Sequence, residues 1–329
     1  MNFSSNPKLV NWLWKACAGA AVYYIVSFIW AALKALNYPY QLLWHEGGLM
    51  DTVSRILQGQ PIFLEPSLTY IPFMYTPLYY YVSAGVASLI GVDFLAGRIV
   101  SFAATLASAI IIYLWLRKER ADQFSALIAS GLFLSFYGIV ANWLIAVRVD
   151  SLFLMLTLLA LFTHIYAKSL PQIILSGFIM VLAVFTKQQA AMIFAPVLLA
   201  GLYLWPRKAI FTGLVVLSAG LAACVYMQNT TEGWFLTYVF EMPRTMPKLP
   251  KKFELFFTLD LFPRVSILLV AASIALYGLW QRSKRHGILY TTLFAAFFLS
   301  AMLSRMHGGA EDNVALPLYA FLCLLCGFI

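Results

Sequence analysis

Four short polar clusters break an otherwise apolar sequence, and each holds side chains able to do chemistry. In Trp44-His45-Glu46-Gly47-Gly48, Glu46 reads as a general base that takes a proton from a hydroxyl once burial lifts its pKa, or as an ordinary solvated loop acid. His45 and the nearby Asp51 stand beside it as candidate substrate contacts. Arg148-Val149-Asp150 supplies a second carboxylate and a guanidinium whose fork suits phosphate or carboxylate, with a structural ion pair as the alternative. Thr186-Lys187-Gln188-Gln189 puts a cation between polar side chains, a fair phosphate clamp, while a snorkelling lysine would look the same. The loop Arg305-Met306-His307-Gly308-Gly309-Ala310-Glu311-Asp312-Asn313 can close over a ligand or simply turn the chain, so Arg305, His307 and Asn313 join the candidates. Tyr70, Tyr75 and Tyr79–Tyr81 form an aromatic group, read chiefly as interfacial anchors and otherwise as stacking surface for a sugar ring.

The elements that must position these clusters are membrane helices. Of the 329 residues, 62% are hydrophobic and only 11% charged, and mean hydropathy is +0.84. Soluble domains carry about 45–50% apolar and about 25% charged residues. The chain is therefore expected to be all-α, a polytopic bundle of about ten spans of ~20 residues each. The apolar runs are Leu13–Leu36, Arg98–Leu116, Phe124–Asn142, Ser151–Ala167, Pro171–Thr186, Gln188–Trp205, Ala209–Met227, Arg264–Trp280, Ile288–Leu303 and Asn313–Ile329. Residues 1–329 read as a single membrane domain with no internal repeat. The last run ends without flanking charge, as expected of a chain lacking C-terminal spans. No cleavable signal peptide is evident.

Charge sets the orientation. The run Pro77–Val92 is short and tyrosine-rich, so it is expected to lie along the outer face rather than cross. The N-terminus, Arg117–Arg120, Lys168, Arg207–Lys208 and Arg282–Arg285 then all face the cytoplasm, with only Glu119 and Asp122 opposing them. That is the positive-inside pattern, and it accounts for the net charge of +9 without invoking nucleic acid. Two extracytoplasmic loops follow, residues 37–97 and 228–263, the first carrying an amphipathic helix from Leu49 that Gly59 stops. All four clusters fall on this outer face. Cys17, Cys224, Cys323 and Cys326 all sit in apolar stretches, and no spacing argues for a bound metal or redox pair, although outer acids can hold a divalent cation. His164, inside a span, reads as a core histidine.

The order of motifs carries a resemblance. "L-Q-G-Q-P-I-F", "Y-T-P-L-Y-Y-Y", "G-V-D-F-L-A-G-R-I-V-S", "R-V-D-S-L", "T-K-Q-Q-A" and "D-N-V-A-L-P-L" follow one another along nearly the whole chain. In this the sequence resembles the GT-C membrane glycosyltransferases, in particular the branch similar to protein O-mannosyltransferases and the lipid A aminoarabinose transferase. The resemblance implies an inverting enzyme of a bacterial inner membrane. It would move a hexose, mannose-like, or a pentose from a polyprenyl-phosphate donor to a hydroxyl of a glycan, lipid or protein, without a cofactor. It assigns catalysis to Glu46 and Asp150, and substrate contacts to His45, Asp51, Tyr75, Arg148, Lys187, Gln188, Arg305, His307 and Asn313, with Arg148 and Lys187 on the phosphate. Relatives often carry Asp-Glu where this chain has His45-Glu46, which leaves open whether Glu46 serves alone or with Asp51 or Asp150. A transporter or flippase of a lipid-linked sugar is the alternative; it would favour charges at mid-membrane and repeated halves.

Overall fold

A computed structural model describes residues 7–329, which are almost wholly helical. Residues 1–6, assigned to the cytoplasmic side by the charge pattern, lie outside the described residues. The longer helices are, in chain order, α1 (Pro7–Leu36), α2 (Glu46–Leu57), α3 (Leu78–Ile90), α4 (Phe94–Lys118), α5 (Gln123–Ser135), α6 (Val149–Tyr166), α7 (Leu170–Thr186), α8 (Gln189–Leu204), α9 (Pro206–Thr230), α10 (Pro250–Arg282), α11 (Lys284–Arg305) and α12 (Leu316–Cys326). Among the described residues the only β pairing is an isolated bridge between Lys248 and His307. Among the described residues, seven helices are long and apolar enough to cross a membrane: α1, α4, α5 continued to Leu144, α6, α9, α10 and α11. This is an integral membrane protein. The expected spans at Pro171–Thr186, Gln188–Trp205 and Asn313–Ile329 form shorter helices of 17, 16 and 11 residues.

Helix ends fall where the sequence supplies a cap or a breaker. Asp93 accepts from the Phe94 amide at the start of α4, and Asp122 accepts from Phe124 and Ser125 at the start of α5. Gly59, with φ of +69°, stands just past α2, as its sequence position predicts. The stretch 228–263 departs from the expectation of a loop. Its prolines do not break the chain into coil: π-turns at Thr237–Glu241 and Phe256–Leu261 each run up to a proline, Pro243 or Pro263, and absorb its missing N–H. As a result α10 begins at Pro250, well before the Arg264 boundary read from hydropathy.

Packing follows composition. Helix α12 is apolar all round and buried from Leu316 to Leu325 among α5, α10 and α11. Helix α6 lies between α4 and α7, while α9 packs on α7 and α8 and turns Leu214, Leu217, Leu221 and Val225 outward as a lipid-facing stripe. Without a hydrophobic drive between helices in lipid, close approach of small residues takes over. At Gly131 a Cβ would come within 2.6 Å of the Ala21 Cα, so α1 and α5 touch backbone to backbone there. Tyr79 and Tyr80, expected as interfacial anchors, are instead buried, and Tyr79 Oη donates to the Gly97 carbonyl at 3.0 Å. His164 is buried with Nδ1 3.1 Å from Thr212 Oγ1, in line with a core role.

Candidate active site

The site is organised by a stretch of irregular backbone, residues 141–148, between α5 and α6. It begins with Ala141 at φ of +49° and leaves several carbonyls without helical partners. Buried carbonyls must be satisfied by protein. Helix α4 does this: Ser101 Oγ donates to Ala146 O at 2.7 Å, and Thr105 Oγ1 donates to Leu144 O at 2.7 Å. Gly97 on the same face lets the segment in, since a Cβ there would lie 2.5 Å from Val147 Cγ1.

Glu46, at the start of α2, locks this segment from the other side. It is fully buried, and its two oxygens accept four hydrogen bonds: Arg98 Nε at 3.1 Å and Val147 N at 2.7 Å on Oε1, Arg98 Nη2 at 2.8 Å and Leu42 N at 2.5 Å on Oε2. Arg98 spends its remaining donors on the carbonyls of Ala35, Tyr38 and Tyr40, beyond and at the end of α1. A carboxylate offers about four lone-pair sites, and here all are taken. In this geometry Glu46 acts as a brace, with its four acceptor positions occupied. Arg98 was not among the sequence candidates; its signal was a lone arginine just inside an apolar run.

Beyond Val147, the chain presents Arg148 and Asp150, 2% and 1% exposed. Asp150 Oδ1 accepts from Lys187 Nζ at 2.6 Å and from Asn313 Nδ2 at 2.8 Å, and Oδ2 accepts from Arg148 Nε at 3.3 Å. Arg148 Nη2 donates to Tyr75 Oη at 2.7 Å, and the guanidinium carbon lies 5.1 Å from the ring centroids of both Tyr75 and Trp143. Its Nη1 is buried without a partner among the described residues. Lys187 sits at the junction of α7 and α8, its ammonium 5.5 Å from the Phe153 ring. Five sequence candidates, Tyr75, Arg148, Asp150, Lys187 and Asn313, therefore form one buried network, with Asp150 committed to three donors.

His45 joins from the α2 side. It is half-buried, stacks on Trp44 with centroids 3.6 Å apart, and lies 6.2 Å from the Trp143 ring. Burial, and then the charge of Arg148, lower its pKa to about 4 against the opposing pull of Asp150.

The remaining candidates go elsewhere. Asp51 is exposed on α2 and forms no ion pair among the described residues. Gln188 Nε2 donates to Met74 O at 2.7 Å and Val239 O at 3.1 Å, tying three segments together. Arg305 belongs to a second network, Nε donating to Asp260 Oδ2 at 2.6 Å, with Arg264 bridging Asp260 and Asp312. His307 stands in the same loop, its backbone paired with Lys248 and its pKa lowered by burial and then by that lysine. Asp312 and Asn313, adjacent in sequence, connect the two networks. No three His, Cys, Asp or Glu among the described residues gather closely enough to hold a metal ion. Two open cavities, of about 200 and 380 Å³, lie elsewhere, around Glu119 and Arg282 and around Trp14 and Lys15.

Comparison with known proteins agrees with this architecture. Residues 74–230 match the model of the dolichyl-phosphate-mannose-protein mannosyltransferase family. That stretch contains Tyr75, Arg148, Asp150 and Lys187. The fold is that of ArnT from Cupriavidus metallidurans, solved bound to undecaprenyl phosphate (TM-score 0.69, 12% identity) and in the apo state (TM-score 0.68, 15% identity). Either match covers 94% of this chain and 59% of ArnT, so the chain spans about three fifths of the length of the solved structures it matches. No curated protein matches. The resemblance drawn from the motifs is thus met by a family-model match across the middle of the chain and by a fold shared with ArnT.

Proposed function

We propose that this chain transfers a sugar from a polyprenyl-phosphate donor to a hydroxyl acceptor at the extracytoplasmic face, with inversion at the anomeric carbon. The observation that carries this reading is the pair of buried cations, Arg148 and Lys187, held on one carboxylate with Arg148 Nη1 unsatisfied. A buried guanidinium N–H without a partner is costly, and an incoming phosphate oxygen would satisfy it. The leaving group in such a transfer is a lipid phosphate, and cations already in place stabilise the charge that develops on it. Asp150 has a positioning role here: it holds Arg148 and Lys187 together while the site is empty. Glu46, itself held by Arg98, accepts from the Val147 amide and so fixes the register of Arg148. The match to a family named for a lipid-phosphate mannose donor, and the likeness to a protein that binds undecaprenyl phosphate, support the donor class.

The test uses the purified protein in nanodiscs with a panel of undecaprenyl-phosphate-linked hexoses and pentoses and hydroxyl acceptors. Release of free undecaprenyl phosphate is followed. Turnover of a donor, lost in Arg148→Lys and Lys187→Met, is the expected result. Tight binding with no turnover across the panel would reject sugar transfer and favour translocation of the lipid.

A further inference from the structure

An inverting transfer needs a group that takes the acceptor's proton, and both carboxylates at this site are already engaged by buried cations. All four acceptor positions of Glu46 are occupied, and Asp150 is tied to Lys187, Asn313 and Arg148. The histidine next to Glu46 has no such commitment. Neither ring nitrogen of His45 hydrogen-bonds within the described residues, and Nδ1 is buried as well as unpaired. An imidazole has one acceptor nitrogen in its neutral form, and leaving it unpaired is a cost that a hydroxyl donor would remove. The ring is also held in place. Trp44 stacks on it, and Trp143 adjoins both it and the Arg148 guanidinium. Arg148 and Asp150 are the charged groups that face it.

We propose that His45, rather than Glu46 or Asp150, is the general base of the sugar transfer set out above, an assignment that rests on that reading. The acceptor oxygen bonds to the anomeric carbon as the bond from that carbon to the phosphate oxygen breaks. The electron pair of the broken bond stays with the lipid phosphate, beside Arg148 and Lys187. The acceptor's proton moves to the free nitrogen of His45 and is passed to water when the products leave. In the empty site Arg148 helps to keep the imidazole neutral, which is the form able to accept. Once a phosphate offsets that charge, the same imidazole becomes a stronger base, so donor binding arms the site.

The assignment is tested with the donor that wild type turns over, using His45→Gln, His45→Ala and His45→Asp. Undecaprenyl phosphate binding, read by tryptophan fluorescence, reports whether each variant is folded. His45→Gln and His45→Ala are expected to bind within about threefold of wild type and to lose about 10²–10⁴-fold in kcat. Free imidazole restores turnover to His45→Ala in a concentration-dependent way, and His45→Asp recovers part of it. Should the variants not fold, wild type still decides, because its acid limb in kcat must lie at higher pH than that in kcat/KM. Full turnover in His45→Gln, or coincident acid limbs, would overturn the base assignment and leave sugar transfer standing. Absence of wild-type turnover on every donor would instead overturn sugar transfer, and the base with it.

Discussion

Replacing Glu46 by glutamine removes the charge against which Arg98 is buried and leaves the shape almost unchanged. Breaking a buried ion pair from one side costs about 3–5 kcal/mol, so Glu46→Gln should lower stability by that order, read as a large fall in Tm in detergent. A Glu46→Gln protein as stable as wild type would mean that the brace is absent. Arg148→Lys keeps the charge but loses the fork. It should weaken undecaprenyl phosphate binding by about tenfold or more, the worth of one charge-assisted hydrogen bond, and titration of the lipid would check it. At this scale the sequence was half legible. It showed which residue types were out of place in lipid, and Arg148, Asp150, Lys187 and Asn313 do converge. It could not show that Glu46 faces Arg98, because that pair joins positions 52 apart and depends on how α2 meets α4.

Helix α4 does more for the site than any other element, yet contributes to it mainly hydroxyls and a glycine. Gly97, Ser101 and Thr105 are spaced a turn apart and form a polar stripe that receives residues 144–148. Gly97→Ala should cost about 1–3 kcal/mol through overpacking against Val147. Val147→Ala in the same chain should recover much of that loss, a coupling that a double-mutant cycle in thermal stability would measure. Independent effects would show that the contact is slack. Hydropathy found the long helices but placed the start of α10 at Arg264, beyond the π-turn that precedes Pro263. Periodicity cannot register a π-turn, since one extra residue merely shifts the apolar face. The sequence also marked Tyr79 and Tyr80 as interfacial anchors, because tyrosine suits an interface as well as a core with a carbonyl within reach.

For the molecule as a whole, the charge pattern makes a prediction about sidedness. In a cysteine-free background, a cysteine at exposed Arg120 should react with an impermeant maleimide only from the cytoplasm, and one at exposed Asp51 only from outside. Labelling of both from one side would undo the orientation and the face assigned to the reaction. Composition made the helical membrane class plain from the outset, whereas the arrangement of helices was out of reach. Helix α12 illustrates why: its apolar run looks like any lipid-facing span, but it stands in the middle of the bundle.

That central position has a bearing on biogenesis. Chains are made and enter the membrane from the N-terminus onward, so α1 to α11 precede α12. Until then the place it will fill among α5, α10 and α11 has to be held open or occupied by lipid. The 3₁₀ turn leading into α12 carries Asn313, whose bond to Asp150 spans 163 positions. The cation cluster therefore gains Asn313 only after α1 to α11 have been made. A nascent chain stalled ahead of Asn313 would hold Arg148 and Lys187 on a carboxylate short of one donor, leaving the membrane's quality-control proteases an open seam to act on.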